Sequence, residues 1–285
     1  MWLAYLTGNF AYSAELQSFW MAVQGCMAVR NGRNKDKKMS WIHAFMLSVF
    51  SGYSGASFTN FLMGKPTSML SNDLNIASCI IAFIIVNYSP RDIGFKLGNT
   101  LPILIVTTAF SQLFRVLGIV KFVDVAFEAF RQNPSEYYPI PVFGPIVFAT
   151  LLGNMGGFFL NGFDKYLENG MPWAFQNGLL CASFYHFFVN DETGFIGLTL
   201  RHVIKSVDFI KMGLDDKIFA TVTVSIFMHT MGILQLPNFM GPSCSPFNVT
   251  SKFLPDLYND SMTVKAGTTI QPKKKKSKNK KDKDL

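Results

Sequence analysis

Long apolar stretches alternate along this chain with short polar segments that are rich in glycine, proline and charge. A helix that crosses a bilayer needs about 20 mostly apolar residues. Seven windows hold at most one charged residue each: 5–29, 40–64, 74–90, 97–114, 135–163, 171–190 and 218–251. The pattern therefore predicts an all-α polytopic membrane protein with seven transmembrane helices.

The composition and the placement of charge agree with a membrane protein. Hydrophobic residues make up 49% of the chain and charged residues only 15%, against roughly a quarter in soluble domains. The last thirteen residues contain eight lysines and two aspartates, and so carry +6 of the formal net charge of +8. A nucleic-acid protein would spread this excess over a folded face. We predict a seven-helix transmembrane domain over 1–247 and a disordered, lysine-rich tail over 248–285.

The basic residues also predict an orientation. The first loop, 30–38, has five basic residues and one acid, and such loops face the cytosol. Six further crossings return the tail to that side, so the N-terminus is predicted to be lumenal. The glycosylation patterns at Asn87 and Asn248 would then be cytosolic and unused. The final Lys-Asp-Lys-Asp-Leu resembles a dilysine retrieval signal of the endoplasmic reticulum, although a polybasic tail that attracts anionic lipid explains it equally well.

Two glycine motifs repeat at a spacing of about 100 residues. Gly52 and Gly55 lie in the second window, and Gly153, Gly156 and Gly157 lie in the fifth. With three spans in each half, about 1–96 and 97–214, the halves must be inverted, and a seventh helix follows at about 218–240. Inverted repeats place functional sites near the bilayer midplane. These glycines and Asn154 are therefore candidate pore or hinge residues, the alternative being that they only let helices pack closely.

Four stretches resemble the trimeric intracellular cation channels of the sarcoplasmic and endoplasmic reticulum. They are SWIHAFMLSVFSGYSGASFTNFLMGKP (40–66), SPRDIGFK (89–96), LLGNMGGFFLNGFDKYLENG (151–170) and SPF (245–247). The resemblance implies seven helices as a 3+3 inverted repeat plus one, a homotrimer, and a potassium-permeable pore within each subunit. It further implies a counter-ion current during calcium release.

The resemblance also implies a phosphoinositide site, from which this sequence departs. The family's fourth helix carries Lys-Glu-Val followed by arginine, and the basic residues hold the headgroup. Here that signature falls on Ser111, Gln112 and Leu113, and only the arginine is matched, as Arg115. A basic residue of the family's fifth helix corresponds to Asn154 or a neighbour.

Charged residues at 115, 121, 124, 128 and 131 recur at intervals of three, four and six, which indicates that they lie close to one face of a helix. At membrane depth such groups must face protein, water or headgroups. Arg115 and Lys121 are candidates to bind a lipid phosphate. For Lys121 the alternative is an ion pair with Asp124, and a second such pair would join Arg131 to Glu128.

The remaining polar residues separate the function classes. Glu15 and Glu136 are the only carboxylates in the seven windows, which argues against a proton- or ion-coupled transporter. No catalytic motif is present, the histidines are scattered, and the four cysteines show no metal or disulfide spacing. We therefore predict a potassium channel of the endoplasmic or sarcoplasmic reticulum. The alternatives, in order, are a non-conducting paralogue that acts as a scaffold or regulatory subunit, and a solute carrier.

Overall fold

The computed structural model describes residues 1–132, 136–152, 155–162, 172–206 and 213–239. All of them belong to one compact unit, Met1–Ser245. Every regular element within the described residues is helical, so the all-α prediction is confirmed. The predicted tail lies outside the described residues.

Twelve α-helices occur in this part of the chain. The first half contains α1 (Trp2–Leu6), α2 (Ser13–Asn31), α3 (Trp41–Leu62), α4 (Ser68–Ser71), α5 (Asp73–Tyr88) and α6 (Ile93–Gly98). The rest contains α7 (Leu101–Phe130), α8 (Phe143–Leu152), α9 (Met155–Asn161), α10 (Trp173–Tyr185), α11 (Phe195–Ser206) and α12 (Asp216–Leu234). A 3-10 turn, Pro90–Asp92, precedes α6, and a π-helical turn, His186–Asn190, extends α10.

Each predicted window contains helix, but the number of membrane crossings stays a prediction. By length and composition, α7 and α12 can each cross a membrane alone. Two bent pairs are further candidates: α5 with 90–98, whose axes differ by 88°, and α8 with α9, whose axes differ by 47°. Gly153 and Asn154, two of the candidate pore or hinge residues, lie outside the described part of the chain.

Helix α7 is much longer than the window 97–114 that predicted it. It continues to Phe130 because no glycine or proline pair interrupts it and Asp124 finds partners on other helices. Asp124 accepts from Lys217 Nζ on α12 at 2.6 Å and from the Tyr185 hydroxyl at 3.2 Å. The Lys121–Asp124 pair considered from the sequence is therefore replaced by an interhelical pair. Arg131 and Glu128 do approach, at 3.7 Å.

Two apolar clusters form the interior. The first lies among α2, α3 and α5 and is centred on Met21, Tyr53 and Phe83. The second lies among α7, α8, α10 and α12 and includes Ile119 and Phe188. The second cluster also takes in Ala56 of α3 and residues of α12, so the division of the chain into two inverted halves stays a prediction.

A buried carboxylate fixes the start of α11 next to the second cluster. Asp191 is fully buried and accepts from the Tyr138 hydroxyl at 2.6 Å and from the amides of Gly194 and Gly197 at 2.8 and 2.9 Å. Arg201 donates to the Asp191 carbonyl oxygen. These bonds anchor α11 to the 136–142 segment.

We expect Asp191→Ala to lower the free energy of unfolding by at least about 2 kcal/mol, because each hydrogen bond to a charged group contributes about 1.5–3 kcal/mol and two buried amides and the half-buried Tyr138 hydroxyl would lose their acceptor. The melting temperature of the detergent-purified protein should fall by about 4–8 °C. Glu192→Ala removes an adjacent, exposed carboxylate and is the control. Equal melting temperatures for the two variants would contradict this role of Asp191.

Candidate functional site

A cavity of about 210 Å³ lies where α2, α3, α7, α9 and the start of α10 meet. We call it the glycine cavity, because Gly25, Gly52, Gly55, Gly156 and Gly157 line it. Helix α3 runs through Gly52 and Gly55 without a break. The first glycine motif therefore does not produce a kink.

Close backbone contact explains why glycine occupies these positions. A Cβ atom on Gly25 would lie 2.5 Å from the Ser48 carbonyl oxygen, and one on Gly52 would lie 3.2 Å from the Met21 carbonyl oxygen. A Cβ atom on Gly156 would overlap the Ser51 carbonyl oxygen. Helices α2 and α9 thus both pack against the backbone of α3, and carbonyl oxygens of α3 lie beside the cavity.

Two polar side chains from other helices complete the cavity. Arg115, near the middle of α7, brings a guanidinium to it. Gln24 of α2 also lines it, and its buried Oε1 accepts no hydrogen bond from the described residues. The cavity can therefore offer amide and carbonyl oxygens to a cation, while the charge of Arg115 makes the local electrostatic potential more positive.

A larger space of about 620 Å³ follows along the same helices, and we call it the polar chamber. Ser18 and Asn75 line it within a buried network. The Ser18 hydroxyl lies 2.9 Å from both the Tyr53 hydroxyl and Asn75 Oδ1, and Asn75 Nδ2 donates to the Ser68 carbonyl at 2.8 Å. Glu15 and Lys121 provide opposite charges in its wall.

The two spaces lie along the same faces of α2 and α7. On α2, Gly25 and Met21 line the glycine cavity, and Ser18 and Ala14 line the polar chamber. These residues are three or four positions apart, so they share one face of the helix. The same relation on α7 joins Arg115 to Gly118 and Phe122. One face of α2 and one face of α7 therefore line both cavities.

The structure brings most of the predicted site residues together and separates one of them. The candidates at the glycine cavity are Gly52, Gly55, Gly156, Gly157 and Arg115. Lys121 lies at the polar chamber instead, because six residues turn a helix by about 240° and so aim the side chain elsewhere. The expectation that Arg115 shares one face with the later charges was wrong. A single headgroup site for Arg115 and Lys121 stays a prediction, and the two cavities do not favour it.

The positions that replace the family's Lys-Glu pair are buried in helix packing. Ser111 and Gln112 are both at most 1% exposed. Ser111 donates to the Thr108 carbonyl at 3.0 Å, and Gln112 packs against Gly232 of α12. Neither residue lines the glycine cavity.

The histidines and cysteines do not form a metal site in the described residues. His229 Nε2 lies 3.1 Å from the Tyr5 hydroxyl, and its Nδ1 lies 2.6 Å from the Ser225 carbonyl oxygen. His186 is buried against the rings of Phe127 and Phe187. Cys26, Cys79 and Cys181 are free thiols, as the sequence predicts.

Comparison with known proteins decides the family. The TRIC channel family model matches residues 31–178, which is more than half of the chain. The chain belongs to the TRIC channel family. This is a family of channels and not of enzymes. The matched range covers α3 to α9 and therefore the α3–α9 side of the glycine cavity.

Solved structures support the TRIC fold. One is a trimeric intracellular cation channel from C. elegans in the absence of Ca²⁺, with a TM-score of 0.56 and 16% identity. It covers 82% of this chain and 94% of the C. elegans chain. A second is the trimeric intracellular cation channel from C. elegans with bound Ca²⁺, with a TM-score of 0.50 and 14% identity. The match covers 80% of this chain and 90% of the C. elegans chain. No curated protein matches the chain significantly.

Sequence reasoning missed the contribution of α2. Gln24 and Gly25 line the glycine cavity, yet neither belongs to the repeated motif, and a lone glycine in an apolar span is unremarkable. The available signal was weak: Gln24 is a polar residue next to glycine within an otherwise apolar run.

Proposed function

We propose that this TRIC family protein is a potassium-permeable cation channel of the endoplasmic or sarcoplasmic reticulum that assembles as a homotrimer. Each protomer would carry its own pore, formed by the glycine cavity and the polar chamber. The current would balance charge during calcium release. The N-terminus would be lumenal and the C-terminal tail cytosolic.

One observation carries the proposal: the two cavities lie along the same faces of α2 and α7, and neutral polar residues such as Gln24, Ser18 and Asn75 line them beside a few charged side chains. Hydroxyl, amide and carbonyl oxygens replace part of a cation's hydration shell without holding the ion tightly, which suits conduction. Glu15 is the one carboxylate in the wall of the polar chamber within the described residues. The path therefore offers little to bind a divalent ion firmly, since such ions prefer several carboxylates.

Purified full-length protein should give single-channel steps in planar bilayers with asymmetric KCl, and the current should reverse near the potassium equilibrium potential. Recordings with and without added phosphoinositide would test whether that lipid opens the channel. The mass of the purified complex would establish whether it is a trimer.

The packing of the glycine cavity favours a second candidate, a non-conducting scaffold or regulatory subunit. Backbone contacts at Gly25 and Gly156 hold three helices together, and Ser111 and Gln112 are buried between helices. Silence from folded, trimeric protein with and without phosphoinositide would reject conduction and leave this role. Saturable flux of an organic solute would instead indicate a carrier.

A further inference from the structure

The loop 30–38 and the segment 89–99 join to form one surface, which we call the basic corner. Asp92 makes an ion pair with Lys37 and lies 3.7 Å from Arg30. Asn31 Nδ2 donates to Asn99 Oδ1 at 3.0 Å. These contacts tie the end of α2 to the turn between α5 and α6.

Arg30 holds the centre of the basic corner rigid. Its side chain is buried, donates to the carbonyls of Asn34 and Lys35, and stacks 4.6 Å from the centre of the Phe95 ring. The hydrogen bond from Lys37 also lowers the pKa of Asp92. Asp92 therefore stays ionised, and the positive charges of Lys37 and Arg30 neutralise its negative charge.

The outer part of the basic corner keeps a large positive excess. The two segments contain seven basic residues and two acids. Asp36 pairs with Lys38 at 3.1 Å. Four exposed cations make no ion pair with the described residues: Arg33, Lys35, Arg91 and Lys96.

The shape of the basic corner indicates where it lies. Helix α6 and the turn before it run at 88° to α5, so they extend sideways if α5 crosses the bilayer. Arg91 and Asp92 both have a positive φ, at 53° and 58°, and a sharp turn imposed on two non-glycine residues in succession is strained. The corner is therefore held in place by its surroundings.

Apolar side chains border the cations on the outer surface. Ile93 and Leu97 of α6 are 48% and 54% exposed, and four residues apart they share one side of the helix. Trp41, which begins α3 directly after the basic loop, is 64% exposed. Exposed tryptophan and basic residues beside an apolar stripe are typical of the boundary between headgroups and acyl chains.

We infer that the basic corner binds the headgroups of anionic phospholipids in the leaflet that it faces, which the charge bias predicts to be the cytosolic one. Phosphate and carboxylate groups would contact the four exposed cations, and the acyl chains would lie against Ile93 and Leu97. This site is separate from Arg115 and does not depend on conduction.

The test counts bound lipid on the full-length protein in a neutral detergent by native mass spectrometry. Phosphatidylserine is titrated, and phosphatidylcholine with the same acyl chains is the neutral comparison. The variant replaces Arg33, Lys35 and Lys96 by glutamine, which leaves both ion pairs intact. The control replaces Lys273, Lys274 and Lys275 by glutamine, and so removes the same charge from the tail.

We expect the corner variant to bind phosphatidylserine at least about tenfold more weakly than the wild type, because each basic residue near a membrane surface adds to the attraction. The control should bind like the wild type, and higher salt should weaken wild-type binding. Unchanged binding by the corner variant, loss in the tail control instead, or equal binding of both lipids would overturn the inference. If the triple variant does not fold, Lys35→Gln with Lys96→Gln provides the same comparison with a smaller decrease.

Discussion

Arg115→Ala channels are expected to carry a larger unitary potassium current than the wild type. The guanidinium lines the glycine cavity near the middle of α7, on the path proposed for cations. Two unit charges 4 Å apart repel by about 1 kcal/mol in water and about 4 kcal/mol at an effective dielectric constant of 20. If the variant removes even the lower of these repulsion energies from the barrier to ion passage, the rate of passage rises roughly fivefold. Single-channel recording in symmetric KCl measures this unitary current directly.

The conservative variant Arg115→Lys is the control for this prediction, since it keeps the charge and should keep most of the unitary conductance. A second readout separates two roles of Arg115. If the guanidinium holds a lipid headgroup, Arg115→Ala should lower the open probability and leave the unitary conductance unchanged. That outcome would contradict the pore role and support the phosphoinositide role implied by the resemblance.

Hydrophobic windows predicted most of the fold because a bilayer requires long uncharged helices. Helix α3 matches the window 40–64 closely, and α5 matches 74–90. The windows failed where charges are satisfied by tertiary contacts. Asp124 lies within α7 because Lys217 and Tyr185, far away in the sequence, supply its partners. No local pattern contains that information.

The sequence predicts the part of the candidate site that is formed by the repeated glycine motifs. It does not predict the part that depends on which way each side chain points around its helix axis. The glycine motifs of the second and fifth windows do meet, since α3 and α9 share the glycine cavity. The interval of six residues between Arg115 and Lys121 corresponds to a turn of about 240°, so the two side chains do not share one face of the helix. Gln24 and Gly25 had no repeated partner to mark them. Contacts between α2 and α3 reveal their position only in the folded chain.

The same glycines serve packing and the cavity, which is why the two interpretations of the motif are not exclusive. A small residue that brings two helix backbones into contact also leaves carbonyl oxygens uncovered by side chains. At Gly156 the nearest group is the Ser51 carbonyl oxygen, and both residues line the cavity. The packing of α9 against α3 therefore sets how closely the two helix backbones approach at the cavity.

Gly25→Val should prevent the protein from folding normally. The variant tests the packing role of the glycine cavity by a folding measurement that does not depend on conduction. The Cβ atom alone would lie 2.5 Å from the Ser48 carbonyl oxygen and 3.1 Å from the Gly52 amide nitrogen, and backbone atoms cannot move aside as a side chain can. Overpacking a core costs about 1–3 kcal/mol, and we expect the upper end here. The yield of folded protein should fall sharply, and surviving protein should melt about 10 °C lower. Ala11→Val adds a similar side chain at an exposed position just before the same helix, at a residue that lines neither cavity, and is the matched control. A Gly25→Val protein that melts like the control would show that α2 and α3 do not touch as described, and the glycine cavity would then need another wall.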